Sequence, residues 1–219
     1  MRPITRIDAV AAILLRDNID TDAIIPSREI TAVSKTGLAS GLFAGWRYLD
    51  RQRGTLDPGF ELNDESYRGA QILLTGENFG CGSSREYAVW ALAEYGFQAI
   101  VATSFNPIFF RNCVRNGVLP AQLESEEVRV IARWVGDDPR NHRLVIDLAS
   151  QTVVAAGLEY RFAIAQDARD ALLSGFDAID RTMSRITEIV AFLDDDRRAR
   201  PWAYAPLTDA DAASETQSQ

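Results

Sequence analysis

The sequence predicts an α/β fold, because short apolar strands alternate with segments of helical pattern. Residues 72–74 form a buried-strand pattern, and a glycine-rich turn follows before a helical segment that stops at Gly96. Residues 99–102 are the next strand, and a second helix begins at Pro107 and ends at Gly117. This strand–helix–strand–helix order is typical of a layered α/β domain.

Strand patterns also occur on both sides of this central segment. Residues 10–15 form the first one, which is too short for a transmembrane helix and lacks a secretory cleavage pattern. In the second half, strand patterns joined by short connections lie at residues 128–131, 144–148, 152–154 and 159–164. Helical patterns follow up to about residue 200.

Length and charge limit the domain organisation and the class of partner. We expect one domain over residues 1–200 and a C-terminal tail over residues 201–219 that is disordered at its end. The net charge of −8 disfavours nucleic acid and anionic membrane surfaces as partners. An anionic substrate would therefore need local basic groups. Because residues 10–15 match neither a transmembrane helix nor a secretory signal, we expect a cytoplasmic protein.

Cysteine and histidine are scarce. The two cysteines, Cys81 and Cys113, fall short of the usual ligand set of an iron–sulfur cluster, and they do not form a disulfide framework. His142 lies in a polar run typical of a surface turn, and Cys81 is expected to be a small packed residue. We therefore expect no metal site and no cofactor in this chain.

The segment that indicates chemistry is residues 76–86, Gly-Glu-Asn-Phe-Gly-Cys-Gly-Ser-Ser-Arg-Glu. Its glycines precede a helix, and Ser83 and Glu86 have the spacing of a capping box, although Ser84 could cap the helix instead. The unpaired N–H groups of a helix start favour an anion, and the fork of Arg85 matches a carboxylate. An ordinary glycine turn before a capped helix has the same spacing. The segment lacks the patterns of a Walker loop, a dinucleotide fingerprint and a nucleophile elbow.

Several spaced motifs together give this chain a family resemblance. It resembles the swivelling domain of the aconitase family and, more narrowly, the small subunits of bacterial 3-isopropylmalate dehydratases. The motifs that carry the resemblance are Gly-Cys-Gly-Ser-Ser-Arg-Glu at 80–86, Asn-Ile-Asp-Thr-Asp-Ala-Ile-Ile-Pro at 18–26, residues 41–49 and residues 104–120.

The resemblance implies a swivelling β/β/α domain, with a mixed sheet and flanking helices. It implies a hydro-lyase that isomerises 2- and 3-isopropylmalate through isopropylmaleate in leucine biosynthesis. A large subunit would hold a [4Fe-4S] cluster, and a small dicarboxylate would be the substrate. Two alternatives stay open, namely the small subunit of a hydro-lyase for citramalate, dimethylmalate or homoaconitate, and a non-catalytic swivelling domain that binds small anions.

Carried over by position, the resemblance assigns Ser83 as the general base that removes a proton alpha to a carboxylate. A serine hydroxyl is a weak base, so it needs an electropositive surrounding. The resemblance assigns substrate binding to residues of two loops, which are Gly82, Ser84 and Arg85 and, near the site mouth, Asp20, Thr21, Asp22 and Arg28. The loop residues Asp20 to Asp22 are equally typical of a turn with side chain to backbone bonds, and Arg28 would touch either substrate or partner.

Two further features bear on specificity and assembly. Tyr87 stands where a histidine is common in the family, which implies either a change in substrate preference or a packing role. The loop of residues 43–53 is rich in aromatic and arginine residues, which are enriched at protein interfaces. We expect it to face the large subunit.

Overall fold

The computed structural model of the chain describes residues 1–31, 34–83, 85–176 and 178–204. The strands within these residues are β1 (Arg6–Ala9), β2 (Ala11–Leu14), β3 (Tyr48–Asp50), β4 (Thr55–Leu56), β5 (Ile72–Thr75), β6 (Ala99–Ala102), β7 (Leu119–Gln122), β8 (Leu144–Asp147), β9 (Thr152–Ala155) and β10 (Leu158–Arg161). The helices are α1 (Thr21–Ile24), α2 (Ala44–Arg47), α3 (Glu86–Tyr95), α4 (Pro107–Arg115), α5 (Ser125–Asp137), α6 (Gln166–Ser174), α7 (Ala178–Met183) and α8 (Ile186–Ala199).

The parallel and the antiparallel strands lie in separate sheets. In the described residues a parallel sheet has the order β2-β5-β6-β7, an antiparallel sheet has the order β1-β8-β9-β10, and β3 pairs with β4. The strand expected over residues 10–15 is β2, and the structure adds β1 before it, which belongs to the other sheet. The predicted α/β class, with both parallel and antiparallel strand pairing and flanking helices, is thereby confirmed.

The parallel sheet is buried on both faces, as the continuous apolar runs predict. Successive side chains of a strand point to opposite faces. On β5, Leu73 therefore packs in a core with α3 and α4, whereas Ile72 and Leu74 pack in a second core with α5 and the antiparallel sheet. This double burial fixes the register of the strands whose ends carry the candidate site.

The prediction of a strand over residues 128–131 was wrong, because these residues lie within α5. Val128, Ile131, Ala132 and Val135 are buried, and this spacing is that of one helical face. Glu124 and Glu127 form a capping box at the start of the helix. That local signal precedes the apolar run and determines the choice of helix over strand.

The chain divides into two compact units, Met1–Phe176 and Asp177–Gln219. The second unit contains α7, α8 and the 3-10 turn Pro201–Tyr204. The expected division into residues 1–200 and 201–219 stays a prediction, and the expected disordered end lies outside the described residues. Among the described helices, none is long and apolar enough to cross a membrane.

Candidate active site

The candidate site lies where neighbouring parallel strands end. β2 pairs with β5 so that Leu14 is opposite Thr75, and β5 pairs with β6. The loops that follow these three strands therefore start side by side at one edge of the sheet. Ligands of open α/β sheets bind outside this carboxyl edge.

Backbone contacts join the first two loops. Gly80 N–H donates to the carbonyl of Ile19 at 2.8 Å, and Thr21 N–H donates to the carbonyl of Cys81 at 3.1 Å. Asp20 and Cys81 form an isolated parallel bridge. The glycine-rich loop is thus held along the Asp-Thr-Asp loop by main-chain hydrogen bonds, and these bonds do not depend on side-chain identity.

Gly80 is required at its position for two reasons. Its φ is +75°, a conformation that residues with a Cβ rarely adopt. A Cβ placed there would lie 2.1 Å from Cγ of Phe109, which is fully buried in α4. The loop therefore packs directly against the Phe109 ring, and this contact limits how closely the loop approaches the hydrophobic core.

The hydroxyls of Ser83 and Thr21 are in contact. Their Oγ atoms are 3.1 Å apart, and either can be the donor. Ser83 is exposed, whereas Thr21 is fully buried. Gly82, with φ +82°, brings the chain past Asp20 to reach this arrangement. The Ser83 hydroxyl is thus accessible from solvent, and the Thr21 hydroxyl is buried behind it.

Ser83 and Glu86 do not form the capping box that their spacing allows. Helix α3 begins at Glu86, its N-cap is Arg85, and among the described residues no side chain caps it. The Ser83 hydroxyl bonds to Thr21, and the Glu86 carboxylate accepts instead from Nδ2 of Asn116 at 2.7 Å. Ser83 is consequently free of a capping role. The other candidate cap, Ser84, lies outside the described residues, as does its expected contact with substrate.

Arg85 carries the permanent positive charge of the site. It forms an ion pair with Asp22, and its Nη1 donates to Oγ of Ser27. Nε and Nη2 are buried; within the described part of the chain Nε has no hydrogen-bond partner, and Nη2 has only its ion pair with Asp22. The Nε–Nη2 edge can therefore bind the two oxygens of a carboxylate that displaces Asp22 from Nη2.

Comparison with known proteins identifies the family of this chain. Residues 1–126 match the Aconitase C-terminal domain family. The 3-isopropylmalate dehydratase small subunit of Cupriavidus necator is 51% identical over 205 residues, which are 93% of this chain and 99% of the relative. The small subunit of the same name from Leptospira interrogans is 43% identical over 94% of this chain and its full length. This chain belongs to the family of 3-isopropylmalate dehydratase small subunits.

The fold of this small-subunit family also matches a solved structure. A 3-isopropylmalate dehydratase from Methanocaldococcus jannaschii aligns with a TM-score of 0.62 and 26% identity. The alignment covers 85% of this chain and 98% of the archaeal chain.

Two residues expected at the mouth of the small-subunit site have other described contacts. One carboxylate oxygen of Asp20 accepts from the N–H of Ala23 at 2.7 Å and caps α1. The Arg28 side chain is 64% exposed, and its ion pair is with Glu29 at 3.7 Å. The structure therefore brings Thr21 and Asp22 to Ser83 and Arg85 by direct contact, and it gives Asp20 a local capping role. Contacts of Asp20 and Arg28 with substrate stay predictions.

Cys81 has the properties of a packed residue. It is half-buried, and burial together with the nearby charge of Asp20 raises the pKa of its thiol. A raised pKa keeps the thiol protonated and weakly nucleophilic. In the described residues, no group of three or more His, Cys, Asp or Glu side chains has the arrangement of a metal site.

Tyr87, at the position where the resemblance led us to expect a histidine, packs against another ring of this chain. Its ring meets that of Trp90 edge to face at 4.7 Å between centroids. Trp90 in turn donates from Nε1 to Oδ1 of Asn116 at 2.9 Å. These contacts favour the packing interpretation of Tyr87, and a role in substrate preference stays a prediction.

The loop of residues 43–53 makes several contacts within the chain. Trp46 stacks on Phe43, and Arg51 pairs with Glu29 at 2.9 Å. Leu49 is 68% exposed, so part of the loop remains accessible to a partner. Its assignment as a subunit interface stays a prediction.

Sequence reasoning missed Ser27, whose hydroxyl contacts Arg85. The residue has a weak signal in sequence, namely its position directly after the Asn18 to Pro26 motif. Only the folded chain brings it to an arginine that is distant in sequence.

Proposed function

We propose that this chain is the small subunit of a 3-isopropylmalate dehydratase, a hydro-lyase that interconverts 2- and 3-isopropylmalate through isopropylmaleate in leucine biosynthesis. The observation that carries the proposal is the 51% identity with the small subunit of that name, which extends over 99% of the relative. The contacts of Ser83, Thr21 and Arg85 support it, because they combine an accessible hydroxyl with a carboxylate-binding group.

Arg85 binds and orients a carboxylate of the substrate in this proposal. Its Nε is a buried donor without a hydrogen-bond partner among the described residues, and its Nη2 has only the ion pair with Asp22, which the substrate would displace. A bidentate contact at this edge fixes both the distance and the plane of the carboxylate. The carbon alpha to that carboxylate is then held close to the glycine-rich loop, which converts proton removal into a positioned intramolecular step.

Ser83 removes the proton from that carbon. The reactive form is the alkoxide, which must be stabilised by nearby donors because the free pKa of a serine hydroxyl is high. Thr21 is placed to donate to Ser83 Oγ across 3.1 Å, and it is buried, so it does not reorient into water. The charge of Arg85 and the start of α3 add a positive potential at the same place.

A large subunit completes the enzyme in this proposal. We assign the [4Fe-4S] cluster to that subunit, where it would supply a Lewis acid for the substrate hydroxyl. We further propose a cytoplasmic heteromer that acts on a small dicarboxylate, with neither nucleic acid nor membrane as a partner. The net charge of −8 supports the last point.

Co-expression with the cluster-bearing subunit tests the proposal. We expect co-elution on size exclusion and isomerase activity in the complex, with isopropylmalate preferred over citramalate, dimethylmalate and homoaconitate. Two chains that elute separately and an inactive mixture would overturn the proposal. A preference for another substituted malate would reassign the substrate within the same reaction class.

Two substitutions then test the residue roles in the active complex. Ser83→Ala should lower kcat by at least about 100-fold, the lower range for loss of a general base. Arg85→Lys should mainly raise KM, because an ammonium cannot make the bidentate contact. Ser150→Ala is the matched control, since Ser150 is also an exposed serine whose hydroxyl bonds to a threonine, Thr152, at 2.8 Å. Wild-type turnover in Ser83→Ala would refute its assignment as the base.

A further inference from the structure

The contacts of Arg85 point to Ser27, a residue outside the groups assigned to the reaction so far. Ser27 begins the short 3-10 turn Ser27–Glu29, directly after Pro26. Its hydroxyl accepts from Nη1 of Arg85 at 2.5 Å and donates to Oδ1 of Asp22 at 3.5 Å. The Ser27 hydroxyl thus lies between the cation of Arg85 and the carboxylate of Asp22.

These contacts divide the guanidinium of Arg85 into two parts. Ser27 holds Nη1, and Asp22 pairs with Nη2 as an ion without hydrogen-bond geometry. Nε has no partner within the described residues, so Asp22 occupies one of the two nitrogens of the Nε–Nη2 edge. Because a carboxylate binds an arginine through two parallel bonds, this edge is suited to a substrate carboxylate.

Asp22 is also a competitor for that edge, since it is a carboxylate already beside it. If Nη1 were released, the guanidinium could turn about its side-chain bonds and take Asp22 in a bidentate pair. We propose that Ser27 is a positioning residue that prevents this turn, so that Asp22 holds Nη2 alone and a substrate carboxylate can displace it from the Nε–Nη2 edge of Arg85. The inference rests on the proposed function, because it deepens the role given there to Arg85.

The test is the kinetics of Ser27→Ala in the reconstituted two-subunit enzyme. We expect KM for isopropylmalate to rise about tenfold, equivalent to about 1.4 kcal/mol, because the weakened group contacts the carboxylate. The value of kcat should stay within about twofold of wild type, since Ser83 and Thr21 are untouched. The inhibition constant of maleate, a dicarboxylate probe, should rise in parallel with KM. Ser27→Thr, which keeps the hydroxyl, should restore both constants.

A matched control and a second variant complete the design. Ser40→Ala removes a serine hydroxyl that lies in another 3-10 turn and accepts from Nη2 of Arg51 at 3.3 Å. Because this hydroxyl contacts a different arginine, its loss should leave KM unchanged. If Ser27→Ala fails to assemble, Ser27→Cys gives the same comparison with a near-isosteric but weak acceptor. Adding Asp22→Asn to the Ser27→Ala enzyme should lower its raised KM, because the competing carboxylate is gone.

If the wild-type complex is active and Ser27→Ala has the same KM, the positioning role of Ser27 is overturned and the proposed function stands. A fall in kcat at constant KM, or a failure of threonine to restore KM, would also overturn the positioning role. An inactive wild-type complex would instead overturn the proposed function itself.

Discussion

The contact between Thr21 and Ser83 yields the sharpest prediction about catalysis. Thr21→Val replaces a buried hydroxyl by a methyl group of similar size, so the backbone bond from Thr21 N–H to Cys81 can remain. The lost interaction is one hydrogen bond across 3.1 Å to an oxygen that carries charge when Ser83 acts as a base. Hydrogen bonds to charged groups contribute about 1.5–3 kcal/mol, so we expect kcat to fall by about 10- to 150-fold.

The assay is steady-state isomerisation by the complex of the variant with its large subunit. KM should change little, because Thr21 acts behind Ser83 and the carboxylate is bound by Arg85 in this scheme. Thr21→Ser, which keeps the hydroxyl, should retain most of the turnover. Thr152→Val is a matched control, because Thr152 is also buried and bonds to an exposed serine at 2.8 Å. Wild-type kcat in Thr21→Val would refute the idea that this hydroxyl stabilises the base.

The remaining predictions concern stability and specificity. Gly80→Ala should destabilise the chain by at least about 1–3 kcal/mol in urea unfolding, because its Cβ overlaps the Phe109 ring at 2.1 Å, and an unchanged midpoint would contradict this. Burial acts to raise the pKa of Glu94, but hydrogen bonds from the N–H groups of residues 37–39 outweigh it and lower the pKa overall. The contribution of Glu94 to the free energy of unfolding should therefore be present above its ordinary pKa of 4.5 and lost as the pH falls through the lowered value. The difference in unfolding midpoint between wild type and Glu94→Gln should therefore shrink below pH 4.5, and a constant difference would refute the linkage. Tyr87→His should leave the reaction type unchanged while shifting the ratio of kcat/KM between isopropylmalate and smaller malates, and an equal response of both substrates would mark Tyr87 as a packing residue.

Much of the central layer follows from local patterns in the sequence. The apolar runs at β5 and β6 have the length and continuity of strands buried on both faces, and Gly96 ends α3 with φ +122°. The strand predicted over residues 128–131 failed because a short apolar run fits a buried helix equally well. There the capping box at Glu124 was the missed signal.

The sequence by itself determined which residue types share one loop, and the kind of chemistry came from the resemblance of that loop to a known family. Gly80, Gly82, Ser83 and Arg85 are close in the chain, so their joint presence in one loop needs no folding argument. That information is local, and it includes the glycine positions that require positive φ.

Only the tertiary structure decided which hydroxyl stands behind Ser83 and what holds Arg85. Thr21 and Ser27 are separated from these residues by 62 and 58 positions, and no local pattern connects residues so far apart. They meet because β2 and β5 pair in parallel, which brings the loops at their carboxyl ends together.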